Sequence, residues 1–246
     1  MKLRTETVGR LKCRSVDGLA EGTVPNLVVV LCHGYGASGT DLVPIGEELL
    51  DQNSVLRDRV QFLFPEAPLA MDDLGLPGGR AWWHLDLMKL QIAAATGQFR
   101  DLRNERPKGL VAAREALSET IRLWSDRTTL PLSRFVLGGF SQGAMLTTDV
   151  SLHLDTNPAA LIAMSGSLIN ETEWRELAPQ HAGLRVLQSH GTADPLLPFA
   201  AAEWLRDLLT SAGATVEFLP FRGGHQIPFE VFHSISKTLE ELIDAA

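Results

Sequence analysis

The feature that most constrains this chain is Gly139-Phe-Ser-Gln-Gly143, which joins a short apolar run to a helix-like segment. The run Phe135 to Leu137 predicts a strand, and the residues Ala144 to Leu154 predict a helix. Glycine on both sides of a serine permits a turn too tight for side chains, and such a turn exposes the serine oxygen at the end of a sheet. The same pattern also occurs in ordinary glycine-rich turns, so a base and an acid further along the chain are needed to decide.

Composition predicts one globular domain spanning residues 1–246. The chain is 45% hydrophobic and 21% charged, which suits a single large core at this length. Its formal net charge of -8 argues against nucleic acid as a partner, because a phosphate backbone would be repelled on average. The one dense cationic stretch, Arg100 to Lys108, is interleaved with acidic residues and suits a solvated face.

Targeting and metal signals are not found in the sequence. The N-terminus is polar, and the longest apolar runs, such as Leu27 to Cys32, are far shorter than the roughly 20 residues that span a bilayer. We therefore expect a cytoplasmic protein without integral membrane association. Cys13 and Cys32 are too few for a disulfide framework, and no Cys/His cluster indicates a metal site. No cofactor is expected.

Strand-like and helix-like segments alternate along the chain. The predicted strands are Leu27–Cys32, Val60–Phe64, Phe135–Leu137, Ala160–Met164, Leu184–Gln188 and Thr215–Leu219, with one or two edge strands in residues 1–25. The first predicted helix follows Asp41, which with Thr40 is a candidate cap. Further helices are predicted over Gly109–Ser125, Ala144–Leu154, Ala200–Ala212 and Phe229–Ile243. This alternation predicts an α/β fold with a mostly parallel central sheet and helices on both faces. Residues 69–108 are irregular, and a connection of that length predicts a lid or substrate-covering loop.

Three side chains with complementary chemistry follow three of these strands. Ligands of open α/β sheets bind outside the carboxyl ends of the strands, where Ser141, Asp194 and His225 are expected. A serine needs a base to take its proton, and His225 can do so while Asp194 holds the other ring nitrogen. The order Ser, Asp, His is that of α/β-hydrolases and differs from the orders of chymotrypsin-like and subtilisin-like proteases.

Other residues offer the same chemistry but fit these roles less well. His33 precedes the serine and His190 precedes Asp194, so neither fits the chain order Ser, Asp, His. The remaining histidines fall on helices or irregular loops and are expected to be structural: His84, His153, His181 and His233. We call the turn Gly139 to Gly143 the elbow and the helix predicted after it the elbow helix. The alternative acids lie in or after the elbow helix or after the next strand: Asp149, Asp155, Glu171 and Glu173. Asp194 can instead be a turn aspartate that hydrogen-bonds its own backbone.

A negatively charged tetrahedral intermediate also needs hydrogen-bond donors. The predicted oxyanion-hole donors are the N–H of Gln142, directly after the serine, and the N–H of Tyr35 in the loop His33-Gly-Tyr-Gly36. The alternative for Gly34 and Gly36 is a tight turn without a catalytic role.

These residues resemble the phospholipase/carboxylesterase family of α/β-hydrolases, which includes acyl-protein thioesterases and small bacterial carboxylesterases. The matching segments run in the family's order: Leu31-Cys-His-Gly-Tyr-Gly with Asp41-Leu-Val-Pro, Pro65-Glu-Ala-Pro, Trp82-Trp83, Leu137-Gly-Gly-Phe-Ser-Gln-Gly-Ala, Gln188-Ser-His-Gly-Thr-Ala-Asp-Pro-Leu-Leu-Pro and Gly223-Gly-His225. The resemblance implies a single-domain serine hydrolase of carboxylic esters or thioesters, with Ser141, Asp194 and His225 as triad. It also implies that the oxyanion hole is formed by Tyr35 and Gln142.

Two departures from the family leave the substrate open. His84 stands where the family often has an aspartate, and residues 85–108 are longer and more apolar than expected. Trp83 and Leu196 are candidate walls for a small-molecule ester or acyl substrate, with core packing as an equal alternative. Lysophospholipase, acyl-protein thioesterase and peptidase activities remain alternatives, as does a catalytically silent binding module. A homodimer is left open.

Overall fold

The computed structural model describes residues 1–85 and 101–245, and these residues form an eight-stranded sheet and a separate two-stranded sheet. The strands are β1 (Lys2–Val8), β2 (Leu11–Asp17), β3 (Leu27–Cys32), β4 (Val60–Pro65), β5 (Leu69–Ala70), β6 (Arg80–Ala81), β7 (Phe135–Phe140), β8 (Ala160–Met164), β9 (Arg185–Gly191) and β10 (Thr215–Phe221). The α-helices of the described residues are α1 (Val43–Gln52), α2 (Ser54–Arg59), α3 (Leu110–Thr128), α4 (Gln142–Leu152), α5 (Glu171–Leu177), α6 (Phe199–Ser211) and α7 (Phe229–Asp244).

The large sheet is mostly parallel, as the alternation of strands and helices predicted. Its strand order is β1-β2-β4-β3-β7-β8-β9-β10. Strands β4, β3, β7, β8, β9 and β10 pair in parallel, whereas β2 is antiparallel to both β1 and β4. Of the one or two edge strands expected in residues 1–25, β1 lies at the edge of the sheet, whereas β2 is an internal strand between β1 and β4. The parallel arrangement brings the carboxyl ends of six strands to one edge of the sheet.

Helices cover both faces of the sheet because its central strands are apolar on both faces. In β3, Val28 and Val30 pack into one core with α3, α4, α5 and α6. Their neighbours Val29 and Leu31 pack into the opposite core with α1, α2 and α7. Every residue of β3 is buried, which is the expected pattern for a strand between two helical layers.

Local details differ from the sequence prediction at helix starts. Helix α1 begins at Val43 after Leu42, and neither Thr40 nor Asp41 caps it with a side chain; the Val43 N–H instead bonds the Thr40 carbonyl at 3.1 Å. Helix α2 was not predicted. Its first turn is capped by the side-chain oxygen of Asn53, which accepts from the N–H groups of Val55 and Leu56 at 3.0 and 3.3 Å. Helix α5 and the β5–β6 hairpin also fall in segments for which the sequence predicted no regular structure.

The predicted substrate-covering segment, residues 69–108, is described in part. Residues 69–81 contain the β5–β6 hairpin, in which Leu69 pairs with Ala81. Residues 86–100 lie outside the described residues, so the prediction of a lid is not tested. In the described ranges, no helix is long and apolar enough to cross a membrane.

Candidate active site

The turn between β7 and α4 holds Ser141 in an unusual backbone conformation. Its φ and ψ angles are 55° and -116°, a region that non-glycine residues rarely occupy. The flanking glycines explain how the turn fits. A Cβ atom on Gly139 would lie 2.6 Å from the Cys32 carbonyl oxygen, and one on Gly143 would lie 2.0 Å from the same oxygen. Since both contacts are to rigid backbone, only glycine is accommodated on either side of the serine.

Asp194 and His225 are in direct contact although 31 residues separate them in sequence. The Nδ1–H of His225 donates to Asp194 Oδ2 at 2.6 Å. The other carboxylate oxygen, Oδ1, accepts the backbone N–H groups of Leu196 and Leu197, each at 2.9 Å. Both oxygens of Asp194 are thus engaged, and the Nε2 atom of His225 is left as the ring nitrogen that can accept a proton.

The loops after β9 and β10 are joined by backbone hydrogen bonds. Thr192 N–H donates to the Phe221 carbonyl at 2.8 Å and Ala193 N–H to the Gly223 carbonyl at 3.0 Å. A Cβ atom on Gly191 would lie 2.2 Å from the Gly224 carbonyl oxygen, so the close approach of the loops requires glycine there. This junction is what brings the acid and the base together.

The environment of Asp194 favours its charged form. Burial of the side chain raises the pKa, but the hydrogen bonds from His225, Leu197 and Leu196 outweigh it and hold the pKa of Asp194 below its usual value. An ionised Asp194 can therefore stabilise an imidazolium on His225. The ring of His225 also packs against Phe140, with centroids 4.7 Å apart and planes inclined by 42°.

His33 shapes the loop that follows β3. Its Nε2 atom accepts the Ala67 N–H at 3.1 Å, which leaves the proton on Nδ1 to be donated to the Gly34 carbonyl at 2.8 Å. Burial lowers the pKa of His33, so the neutral ring is retained. The loop lies close to the elbow, because a Cβ atom on Gly34 would lie 3.4 Å from Cβ of Ser141.

A second segment, residues 80–83, contacts both this loop and the elbow helix; we call it the strap. On the loop side, the carbonyl of the strap residue Arg80 accepts the Gly36 N–H at 2.9 Å, and the Arg80 N–H donates to the Ala37 carbonyl at 3.0 Å. The indole Nε1–H of Trp82 donates to the His33 carbonyl at 3.0 Å.

On the elbow side, the strap binds the side chain of Gln142. The amide oxygen of Gln142 accepts the Trp82 N–H at 2.9 Å, and its amide nitrogen donates to the Trp83 carbonyl at 2.8 Å. As the first residue of α4, Gln142 has a backbone N–H that no intrahelical acceptor uses. The strap therefore links the segments that carry Tyr35 and Gln142.

A cavity of about 410 Å³ opens above the serine. It is lined mainly by apolar side chains: Gly34, Tyr35, Ala37, Asp41, Trp83, Leu85, Leu102, Glu105, Pro107, Phe140, Ser141, Gln142, Met145, Ile169, Leu196, Leu197 and His225. Every site residue predicted from sequence lines this cavity except Asp194, which contacts it through His225. The predicted wall Trp83 is fully buried, whereas Leu196 is 51% exposed.

The other candidate acids, bases and nucleophiles have different surroundings. Asp149 is buried in α4, where its carboxylate accepts from Trp174 Nε1 at 2.8 Å and from Arg114 at 3.1 Å. His84 is exposed. Both cysteines are free and buried, and burial raises the pKa of Cys13 to about 12, so neither thiol is a nucleophile at neutral pH. In residues 1–85 and 101–245, no group of three or more metal-ligating side chains is found.

Sequence reasoning missed four contributors to the site. Phe140, the Gln142 side chain and the strap residue Trp82 belong to predicted motifs, but the sequence assigned none of them a contact of its own. His190 does not fit the order because it precedes Asp194, yet its Nε2 atom lies 3.4 Å from Asp194 Oδ2. Its position at the end of a strand was a usable signal, since strand ends meet at the same edge of the sheet.

Known proteins are similar to this chain in sequence and in overall structure. Acyl-protein thioesterase 1 of Neurospora crassa is 28% identical over 222 residues, which cover 87% of this chain and 85% of that protein. Acyl-protein thioesterase 1 of Candida albicans is 26% identical, covering 92% and 91%. The crystal structure of esterase PE8 superposes with a TM-score of 0.77 at 26% identity, covering 98% of this chain and all of that one.

A more distant structure agrees at the level of the fold. A carboxylesterase from Mesorhizobium loti has a TM-score of 0.73 at 19% identity, covering 97% of this chain and 98% of that one. The α/β-hydrolase fold predicted from sequence is thereby confirmed. The phospholipase/carboxylesterase family model matches residues 20–243, which is nearly the whole chain. This chain therefore belongs to the phospholipase/carboxylesterase family.

Proposed function

We propose that this chain hydrolyses carboxylic esters or thioesters through an acyl-enzyme formed on Ser141. Its family makes it a carboxylic ester hydrolase, as the sequence predicted. The observation that carries the proposed mechanism is the 2.6 Å contact between His225 Nδ1 and Asp194 Oδ2, beside a cavity that both Ser141 and His225 line. This contact fixes the tautomer that a serine-activating histidine needs.

The chemistry follows from the protonation states of these groups. His225 Nε2 takes the hydroxyl proton of Ser141 as the serine oxygen attacks the acyl carbon, and the imidazolium is stabilised by the ionised Asp194. The same proton passes to the leaving alcohol or thiol as the tetrahedral intermediate collapses. His225 then removes a proton from water as the water attacks the acyl-enzyme. It passes that proton to the Ser141 oxygen as the second tetrahedral intermediate collapses and the acid is released.

The oxyanion of each tetrahedral intermediate is bound by the N–H groups of Tyr35 and Gln142. Loss of one such donor typically costs about 3 to 4 kcal/mol of transition-state stabilisation. The hydrogen bonds of the strap support this assignment, because they link the loop after β3, which carries Tyr35, to the Gln142 side chain. Preorganised donors need no reorganisation as charge develops, which is why fixed loops favour this role.

The substrate class that the cavity favours is an uncharged acyl group. Most of the lining is apolar, which suits an acyl chain. The lining also includes two carboxylates, Asp41 and Glu105, which disfavour an anionic group. Two curated relatives are named acyl-protein thioesterase 1, which supports a thioester of an acylated protein as one substrate. A cytoplasmic location stays a prediction, as does the substrate-covering role of residues 69–108.

A fluorophosphonate probe tests the proposal at its central residue. We expect covalent labelling of Ser141 in the folded wild-type protein, and we expect none in Ser141→Ala. Turnover of matched p-nitrophenyl esters, acyl thioesters and lysolipids then orders the possible substrates. A folded wild-type protein that is neither labelled at Ser141 nor active on any of these would support the alternative, a catalytically silent binding module.

A further inference from the structure

His190 is a fully buried histidine that the reaction described above does not use. It lies near the end of β9, four residues before Asp194, and none of its surface is exposed. Its Nε2 atom lies 2.7 Å from the carbonyl oxygen of Leu197 and 3.4 Å from Asp194 Oδ2. The ring of Phe199 covers it at a centroid distance of 6.2 Å.

These contacts determine the protonation state of His190. A carbonyl oxygen can only accept, so Nε2 carries the proton and donates it to Leu197. Nδ1 has no hydrogen-bond partner among the described residues. Burial lowers the pKa of His190 despite the nearby charge of Asp194, so the ring is neutral. The titratable groups that act on it are Asp194 and His225.

The peptide groups of Leu197 connect His190 to the acid. The Leu197 N–H donates to Asp194 Oδ1 at 2.9 Å, while the Leu197 carbonyl accepts from His190. The hydrogen bond from His190 thus holds Leu197 in place, and the N–H of Leu197 in turn binds the Asp194 carboxylate. The His190 Nε2 atom also lies 3.4 Å from Oδ2, the oxygen that accepts the hydrogen bond of His225.

We propose that His190 is a positioning residue that holds the Asp194 carboxylate in the orientation that His225 requires. This inference rests on the proposed function, because it assigns a task to the triad. Without the hydrogen bond to Leu197, both Leu197 and Asp194 gain freedom, and Oδ2 is no longer held against His225 Nδ1. A displacement of about 1 Å in a catalytic group can cost about 100-fold in rate.

Three variants of position 190 separate this role from simple packing. The amide nitrogen of His190→Gln can reach the place of Nε2 and donate to Leu197. The shorter side chain of His190→Asn reaches only the place of Nδ1, and His190→Leu fills the space without a donor. A matched control is His181→Leu, since His181 is also buried and lies 3.1 Å from a carbonyl, that of Leu152, on another part of the fold.

We expect kcat on a p-nitrophenyl ester to fall about 10- to 100-fold in His190→Leu and His190→Asn, with KM nearly unchanged. His190→Gln should retain activity within about threefold of wild type, because its donor reaches Leu197. The midpoint of the acidic limb of kcat/KM should move to lower pH in the two weak variants, because a loosened carboxylate stabilises the imidazolium less. His181→Leu should leave kcat and this midpoint unchanged even if it lowers the melting temperature.

The outcomes distinguish this inference from the proposed function. Equal activity of His190→Gln and His190→Asn, or an unchanged kcat and acidic limb in folded His190→Leu, would overturn the positioning role while the hydrolase assignment stands. Failure of the wild-type protein to react with a fluorophosphonate would instead remove the proposed function. If His190→Leu does not fold, the Gln and Asn variants still decide the question.

Discussion

The two walls of the cavity are built differently. The wall that carries Ser141, Tyr35 and His225 consists of strand-end loops joined by hydrogen bonds and by backbone contacts that only glycine permits. A second part of the lining is formed by side chains such as Leu102 and Ile169, which belong to the apolar core or pack against it. Directional contacts specify one geometry, whereas apolar packing tolerates changes in shape. The first wall, which we call the catalytic wall, is thus suited to chemistry. The second, the apolar wall, is suited to substrate selection.

The largest test of this contrast removes the reactive groups. We expect Ser141→Ala and His225→Ala each to lower kcat by at least about 10,000-fold, with the double variant within about threefold of either, because a triad acts as a unit. Single-turnover kinetics on an activated ester measure this. His233→Ala, at an exposed position of α7, is the control and should keep full activity. Additive losses in the double variant would mean that these two residues do not act together.

A methyl group at the elbow tests the rigidity of the same wall. Gly143→Ala should lower the free energy of unfolding by about 3 kcal/mol and remove activity, because its Cβ would lie 2.0 Å from a backbone oxygen that cannot move away. Urea unfolding measures the change. Gly224→Ala is the matched control, since its Cβ would meet nothing closer than 3.8 Å. A stable, active Gly143→Ala protein would show that the catalytic wall yields.

The fold was far easier to predict from sequence than these contacts. Apolar strands such as β3 and β8 are recognisable because burial on both faces requires continuous apolar runs. The contacts of Gln142 and His190 depend instead on where separate loops meet. No local pattern records that the Gln142 amide meets a backbone 59 residues away, or that His190 lies against Leu197. Helix α2 was missed for a local reason, because its Asn53 cap signal was overlooked.

The stability that the ionised Asp194 contributes to the catalytic wall should depend on pH. The lowered pKa of Asp194 means that its stabilisation is complete above the ordinary aspartate pKa of about 3.9 and is lost as pH falls below it. Asp194→Asn should therefore lower the free energy of unfolding by about 1.5 kcal/mol at pH 7, and the difference should shrink in acid. Urea unfolding at several pH values measures it. The exposed Asp126→Asn should follow the wild type throughout; a difference for Asp194→Asn that persists in acid would contradict the assignment.

The smallest effect is expected at the apolar wall. Leu102→Ala should lower kcat/KM for p-nitrophenyl octanoate, because the variant leaves part of the acyl chain exposed to water. The expected loss is about fourfold for each exposed methylene, at about 0.8 kcal/mol each. For p-nitrophenyl acetate, kcat/KM should change less than about twofold. The ratio of the two esters cancels any loss of folded enzyme. Leu123→Ala, a 38% exposed position on α3, should leave that ratio unchanged. An equal reduction on both esters would place Leu102 with the catalytic wall instead.

The strap has a consequence for how such sequences diverge. Because residues 80–83 contact both halves of the proposed oxyanion hole, a replacement at Gln142 cannot be neutral unless the strap changes as well. Among the described residues, the hydrogen bonds of the Gln142 side-chain amide go to backbone atoms of Trp82 and Trp83, so the amide constrains the backbone path of that segment more than its side chains. Comparison of homologous sequences should therefore show position 142 covarying with the length of the 69–81 hairpin rather than with the identity of residue 83. Substitutions at the tip of the hairpin would then accumulate independently of position 142, whereas changes at its base would accompany changes at position 142.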